Sequence, residues 1–332
     1  MIPEYKLDEV KKALHSTFSV TAIDDIKELT TGLSNALVFR IVVSGKPYLL
    51  KIARTDALND PTLYYYACMK TAAKAGLAPK VWYAGIEDGI CVTDFVSLQP
   101  FSLVEAKIKL ADLLRTLHQL PPFSKSIHSI DTANRFAKKF RKTGILPGAI
   151  TDKLFKSFEQ IAQVYPRNKE DLVPSHNDLK PENILYDGKQ IWLSDWEAAF
   201  TNDRYSDLSI VANFIVANES DETEFLNRYF TRNVTEYERS KFYLMRQVMH
   251  ISYFTVFMII VAATTGKQIN INTIAKHDFR KFHNRIWAGE IDLALEESRL
   301  EYALVHMEQL RQNLKTRRFK EALKIVSKAN PK

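Results

Sequence analysis

Residues 175–188 read SHNDLKPENILYDG, and a second run, IWLSDWE, follows at 191–197. Together they place Asp178, Asn183 and Asp195 at intervals of five and twelve residues. A carboxylate, an amide and a second carboxylate at this spacing suit phosphoryl transfer, which needs positioning and charge neutralisation far more than covalent help. Asp178 is the candidate base that accepts the proton of an attacking hydroxyl. Asn183 and Asp195 are the candidate ligands of Mg2+, a hard cation that takes oxygen donors, keeps several waters and needs few protein groups. Lys180 lies two residues past the base, within reach of a transferring phosphate. His176 joins the catalytic set as a brace of the loop through hydrogen bonds. The plain alternative is an Asx-rich loop before a strand with no chemistry, and the downstream Asp195 argues against it.

Other elements must present the nucleotide. YLLKI puts Lys51 on a strand, after a turn, TTGLSN, whose Gly32, Ser34 and Asn35 suit the presentation of N–H groups and hydroxyls to phosphates. Asp94 and Phe95 close a later strand, where an adenine ring would hydrogen-bond to backbone. ATP and Mg2+ are therefore the expected cofactors. Around these residues, Val10, Leu14 and Phe18 predict a helix over 5–18. Three strands follow over 19–54, with a turn at Ser44-Gly45-Lys46-Pro47. A helix is expected over 60–75, with Asp60 as N-cap, Pro61 at its first position and Gly76 beyond its end. PKVWYAG and GICVTDFV read as two more strands. After Pro100 the pattern turns helical: 103–119 carries an apolar stripe, 121–172 is indistinct apart from a helix near 151–164, and 206 onward is nearly all helix. The expected fold class is α+β, with a nucleotide-binding lobe over 1–96 built on a small antiparallel sheet. A large helical lobe over 97–332 would carry the catalytic loop, the acceptor site and a basic terminal helix.

Composition narrows the classes. The chain has 332 residues and a formal net charge of +7, but residues 311–332 hold eight Lys or Arg against one acid, which accounts for the whole excess. That reads as a solvated face of a terminal helix, so no nucleic-acid partner is expected. Cys68 and Cys91 offer neither a disulfide framework nor metal-ligand spacing and fit a reducing compartment. MIPEYKLDEVKKAL lacks the apolar centre of a signal peptide, so a cytoplasmic location is expected. Residues 247–266, QVMHISYFTVFMIIVAATTG, contain no Asp, Glu, Lys or Arg and are long enough to span a bilayer. Gln247, His250, Ser252 and three Thr within that run favour a buried helix instead, and no membrane span is expected.

Apart from Asn177 in place of Arg, SHNDLKPENIL resembles the catalytic loop of protein kinases, yet a DFG glycine, a GxGxxG loop and an APE-like segment are missing. HNDLxxxNIL is similar to the catalytic loop of the choline kinase and aminoglycoside phosphotransferase superfamily of small-molecule kinases. Asp195-Trp196-Glu197 resembles the D-[FW]-E of choline and ethanolamine kinases, and AAFTNDRYSDLSIVANF resembles the motif that follows it. GLSN and GLAPKVWYAG match the small lobe of the group. The resemblance spans residues 20–290 and implies a bilobal, protein-kinase-like fold and transfer of the γ-phosphate of ATP to an alcohol of the choline or ethanolamine type. It also implies that Lys51 pairs with the α- and β-phosphates, and that Glu197, Arg204 and Asp207 are polar positions beside the acceptor, with Asp207 equally suited to bracing the catalytic loop.

The chain departs from the pattern twice. Tyr64 to Met69 offers no acid where the family's helix supplies a partner for the strand lysine, so Asp195 or phosphate alone is expected to hold Lys51. Choline kinases also carry a Trp-rich late helix that cages the quaternary ammonium through cation–π contacts. Here Thr255 and Met258 stand at those positions, leaving Tyr253, Phe254, Phe257 and Trp287 as cage candidates, with core packing as the plain alternative. The expected partner is thus a small-molecule alcohol. An aminoglycoside, a sugar or a thiamine-type alcohol remains open as acceptor, as do a pseudokinase role and a homodimer.

Overall fold

The structure, a computed structural model, describes residues 2–29, 36–53, 64–266, 268–269 and 278–329. The chain divides into two compact units. One comprises residues 1–101 with 182–199, and the other comprises 102–181 with 200–332.

The first unit is built on an antiparallel sheet in the order β1 (Asp25–Glu28), β2 (Leu37–Val43), β3 (Lys46–Ile52), β5 (Ile90–Asp94), β4 (Val81–Ala84). Strand periodicity sorts its residues. Phe39, Ile41 and Val43 of β2 and Tyr48, Leu50 and Ile52 of β3 are buried with Val10, Ala13 and Leu14 of helix α1 (Leu7–Phe18) in one core. Lys51 alternates with Leu50 and Ile52, so it rises from the face of the sheet opposite α1. Helix α2 (Tyr65–Lys74) ends at Gly76, whose φ of +74° is the left-handed conformation a helix terminus requires. The expected cap of that helix, Asp60-Pro61, lies outside the described residues, as does the turn with Gly32, Ser34 and Asn35.

A hairpin of β7 (Ile184–Tyr186) and β8 (Ile191–Leu193) completes this unit. The expected division fell between residues 96 and 97, and it did not foresee that 182–199 groups with the sheet. The reason is hydrogen bonding: the Gln99 amide donates to the Tyr186 carbonyl at 2.8 Å and the Leu193 amide to the Leu77 carbonyl at 2.7 Å. Phe101 also stacks on Tyr186, with ring centroids 4.6 Å apart.

The second unit is mostly helical: α3 (Leu103–Leu117), α4 (Ser129–Thr143), α5 (Gly148–Val164), α6 (Arg204–Ile215), α7 (Glu219–Phe230), α8 (Glu236–Thr265), α9 (Phe279–Trp287), α10 (Glu296–Asn313) and α11 (Arg317–Ala329). A two-stranded ribbon, β6 (Leu172–Ser175) antiparallel to β9 (Phe200–Asp203), lies among them. This is the α+β class expected. The helix α8 starts in a capping box between Thr235 and Glu238, worth about 1 kcal/mol, and ends at Gly266 with φ +60°. By length and apolarity α8 passes for a membrane span, yet over half of its most apolar window is buried within the unit. It packs against α4, α6, α10 and α11. Its polar groups turn back on the helix itself: Gln247 donates to the Tyr243 carbonyl at 2.8 Å, and Thr255 to the Ile251 carbonyl at 2.7 Å.

Candidate active site

The catalytic loop leaves β6 at Ser175 and belongs, as far as Pro181, to the helical unit. Its backbone is anchored by α6. Asp203 caps that helix by accepting from the Tyr205 amide at 2.8 Å, which brings Asp207 into the first turn. The Asp207 carboxylate, fully buried, accepts from the amides of His176 at 2.9 Å and Asn177 at 2.7 Å, and lies 3.3 Å from His118 Nε2. Two charge-assisted bonds to adjacent amides fix the loop immediately before Asp178. Of the two roles expected for Asp207, the structure shows the bracing one; no face of the carboxylate is left for an acceptor.

Asn177 completes the anchor. Its φ is +63°, a left-handed conformation that Asn and Asp adopt at least cost among residues with a side chain. Its side-chain amide donates to the carbonyls of Ser175 and Phe200, while its oxygen accepts from Asn202 at 2.7 Å. Asn202 in turn donates to Ser129 Oγ at 2.8 Å. Asn177 therefore has a structural reason of its own, and Ser129 and His118 are supports that no sequence motif announced. Asp178 and Lys180 are partly exposed, their charged groups 3.4 Å apart. His176 is fully buried, in keeping with a brace.

In the sheet unit the β7–β8 register pairs Ile184 with Leu193, and the Ser194 amide donates to the Asn183 carbonyl at 3.0 Å. The open end of this hairpin thus carries Asn183 opposite Ser194, with Asp195 the next residue along the chain. An amide oxygen and a carboxylate are hard donors that fit Mg2+. No cluster of three His, Cys, Asp or Glu suited to a metal occurs among the described residues, and a Mg2+ site of this kind needs none. Asp195 also has positive φ, +59°.

Lys51 finds its partners in the same segment. Its ammonium donates to Asp195 Oδ1 at 2.9 Å and to Glu197 Oε1 at 2.6 Å. Burial pulls its pKa down, but the two carboxylates outweigh this and hold it above the usual lysine value. The expectation of Asp195 as its protein partner is met and extended: Glu197 supplies the acid that α2 lacks. Where the helix might have carried an acid, Tyr64 donates its hydroxyl to the Ala199 carbonyl. Glu197, expected beside the acceptor, is thereby bonded to Lys51. The Asp94 amide donates to the Lys80 carbonyl at 2.9 Å, and its carboxylate accepts from Trp82 Nε1 at 2.7 Å.

The remaining residues expected beside the acceptor have packing and bonding partners within the protein. Phe254 is fully buried against Phe140, centroids 5.0 Å apart, so it is core rather than cage. Tyr253 stacks on His306 at 4.7 Å and packs with Tyr302, and Trp287 lies beside Phe214. Arg204 bonds to the Glu170 carbonyl and pairs with Asp171 at 3.5 Å, which ties α6 to β6.

Residues 25–243 match the sequence model of the phosphotransferase enzyme family. The chain belongs to that family. Within it, the chain is 30% identical to protein LicA of Haemophilus influenzae over 235 residues, covering 67% of this chain and 68% of that one. With LicA of strain Rd, the same identity extends over 105 residues, 31% of this chain and 38% of that one, so the chain spans under two thirds of that relative. Among solved structures, a choline/ethanolamine kinase family protein from Mesorhizobium loti superposes with a TM-score of 0.69 at 19% identity, covering 97% of this chain and 99% of that one. Choline kinase LicA from Streptococcus pneumoniae superposes with a TM-score of 0.61 at 16% identity, over 92% and 100%. The phosphotransferase fold, which these kinases share, is therefore the fold of this chain.

Proposed function

We propose that this phosphotransferase uses ATP and Mg2+ to phosphorylate the hydroxyl of a small amino alcohol of the choline or ethanolamine type. The observation that carries the reading is the bonding of Lys51 to both acids of the Asp195-Trp196-Glu197 run, which the choline and ethanolamine kinases share. Asp178 accepts the hydroxyl proton, the alcohol oxygen forms its bond to the γ-phosphorus, and the bond from that phosphorus to the bridging oxygen breaks as ADP leaves. Lys51 bonds to the α- and β-phosphates, and Lys180 meets charge on the transferring group. Asn183 and Asp195 would hold Mg2+, which would supply positive charge against the phosphate oxygens. An ATP-dependent reaction and two buried free thiols, Cys68 and Cys91, fit the cytoplasm.

A second reading, an aminoglycoside or another larger polyol as acceptor, is supported by the burial of Thr255 and Met258 where an aromatic cage would need tryptophans. The test is ADP release with Mg2+ and ATP over a panel of choline, ethanolamine, related alcohols and aminoglycosides, with the product identified by phosphorus NMR. Saturable turnover of an amino alcohol is expected. Turnover of aminoglycosides alone would establish the second reading, and turnover of none would remove both.

A further inference from the structure

The helical unit contains a cavity of about 280 Å³ among α7, α8, α9, α10 and α11, lined by residues to which the proposed reaction assigns no role. Three arginines line it, and two are spent. Arg280 donates to the carbonyls of Asn213 at 3.1 Å, Phe214 at 2.7 Å and Val216, closing the C-terminal end of α6. Arg318 pairs with Glu222 and lies over the Tyr243 ring at 4.3 Å. Arg246 is different. Among the described residues it has no hydrogen bond or ion pair, only a distant approach to the Phe242 ring at 5.9 Å, and its Nε is sealed from solvent without an acceptor. Glu222, the nearest acid, is itself buried and already shared by Arg318 and by Arg239 at 3.8 Å. Burial lowers the pKa of Arg246; Glu222 pulls it back up and Arg318 pushes it further down. Three more acids line the cavity and are engaged by other groups: Glu219 by Arg239 and Arg318, Asp278 by the Lys281 amide, and Glu308 by Arg311. Arg246 makes no direct ion pair among the described residues.

We infer that this cavity is a second binding site, in which Arg246 receives the oxyanion of a small ligand, a phosphate or carboxylate group. A planar fork of donors suits such a group, and Gln309 and Asn313 line the same space with further amides. None of Lys51, Asp178, Lys180, Asn183 and Asp195 lines this cavity.

The test uses the full chain and inorganic phosphate, with acetate in a parallel arm and chloride at matched ionic strength as the control. A saturating concentration of a non-hydrolysable ATP analogue occupies the nucleotide site throughout. Phosphate or acetate is expected to raise the melting temperature saturably in the millimolar range, and the better anion identifies the class of ligand. Arg246→Met should abolish the shift and, lacking the uncompensated charge, should melt no lower than the parent without anion. Arg246→Lys retains the charge without the fork, and is expected to weaken binding about tenfold; it decides the matter if the methionine variant does not fold. An undiminished shift in Arg246→Lys and Arg246→Met, or no shift beyond chloride for either anion, would overturn the inference. Turnover of the proposed alcohols bears on the other reading and leaves this one untouched.

Discussion

Acid should unfold the helical unit well before carboxylates are titrated. His250, His283 and His306 are fully buried, and His128 nearly so. Burial pushes all four imidazoles down, His128 to about 4 and His283 to about 3, with His250 and His306 well below their ordinary value. Groups whose folded pKa is depressed contribute stability that is fully present above the unfolded value, near 6.5, and is lost as pH falls. Asp203 acts in the opposite sense: burial raises it to about 7, against the pull of Lys241, so its contribution grows as pH falls from about 7 toward 4. Between about pH 6 and 5 the unfolded chain holds up to about four histidine protons that the folded chain refuses, offset by one that the folded chain holds on Asp203. Three net protons at about 1.4 kcal/mol each per pH unit amount to about 4 kcal/mol, a large share of a typical domain's stability. Urea titrations followed by far-UV circular dichroism, which the helices dominate, would measure the slope directly. His306→Gln should reduce it by about one proton while keeping a hydrogen bond to His250, now 2.9 Å from His306. A flat profile from pH 7 to 5, or a slope indifferent to that variant, would refute the assignment of neutral buried imidazoles.

Four further outcomes follow from the site and its supports. Asp178→Asn should lower kcat by about 10²–10⁴-fold with an unchanged melting temperature, measured on whichever alcohol proves best. Glu197→Gln should raise the KM for ATP by no more than about fivefold, because the Lys51–Glu197 pair is partly exposed and Asp195 remains, as initial rates against ATP would show. Asp207→Asn turns an acceptor toward the loop amides into a donor and should cost about 2–5 kcal/mol in urea unfolding, with kcat falling as the loop loosens. Phe254→Ala should cost about 3–5 kcal/mol in the same measurement without altering the ranking of acceptors, as expected of a core ring.

The proposed catalytic loop is legible because its candidate residues are written locally: Asp178, Asn183 and Asp195 fall within one short stretch, so a linear string carries them. The partners of Lys51 are not, since Glu197 meets it across 146 residues of sequence and only the folded sheet and hairpin make that acid the replacement for one on α2. The aromatic residues of α8 were ambiguous for a related reason. A helix apolar on all sides has no periodicity to say which rings face a ligand, and packing against α4 and α10 decides it. The helix α4 escaped notice although Ile130, Ala133, Ala137 and Phe140 form its buried stripe. The basic residues between them, Lys138, Lys139, Arg141 and Lys142, drew attention to charge and away from spacing. Strand β9 was too short to register, and it exists because β6 offers it a ladder of hydrogen bonds.

The grouping of residues 182–199 with the sheet has a consequence for inheritance. The backbone passes from one compact unit to the other at three places, so neither unit is a single stretch of gene. A recombination event that exchanged residues 1–101 for those of a distant relative would separate Lys51 from the two carboxylates that neutralise it, leaving a half-buried cation facing whatever the foreign hairpin supplied. The Lys51 cluster therefore passes on as a coupled pair of segments, and shuffled libraries should retain the proposed activity only where both segments come from the same parent.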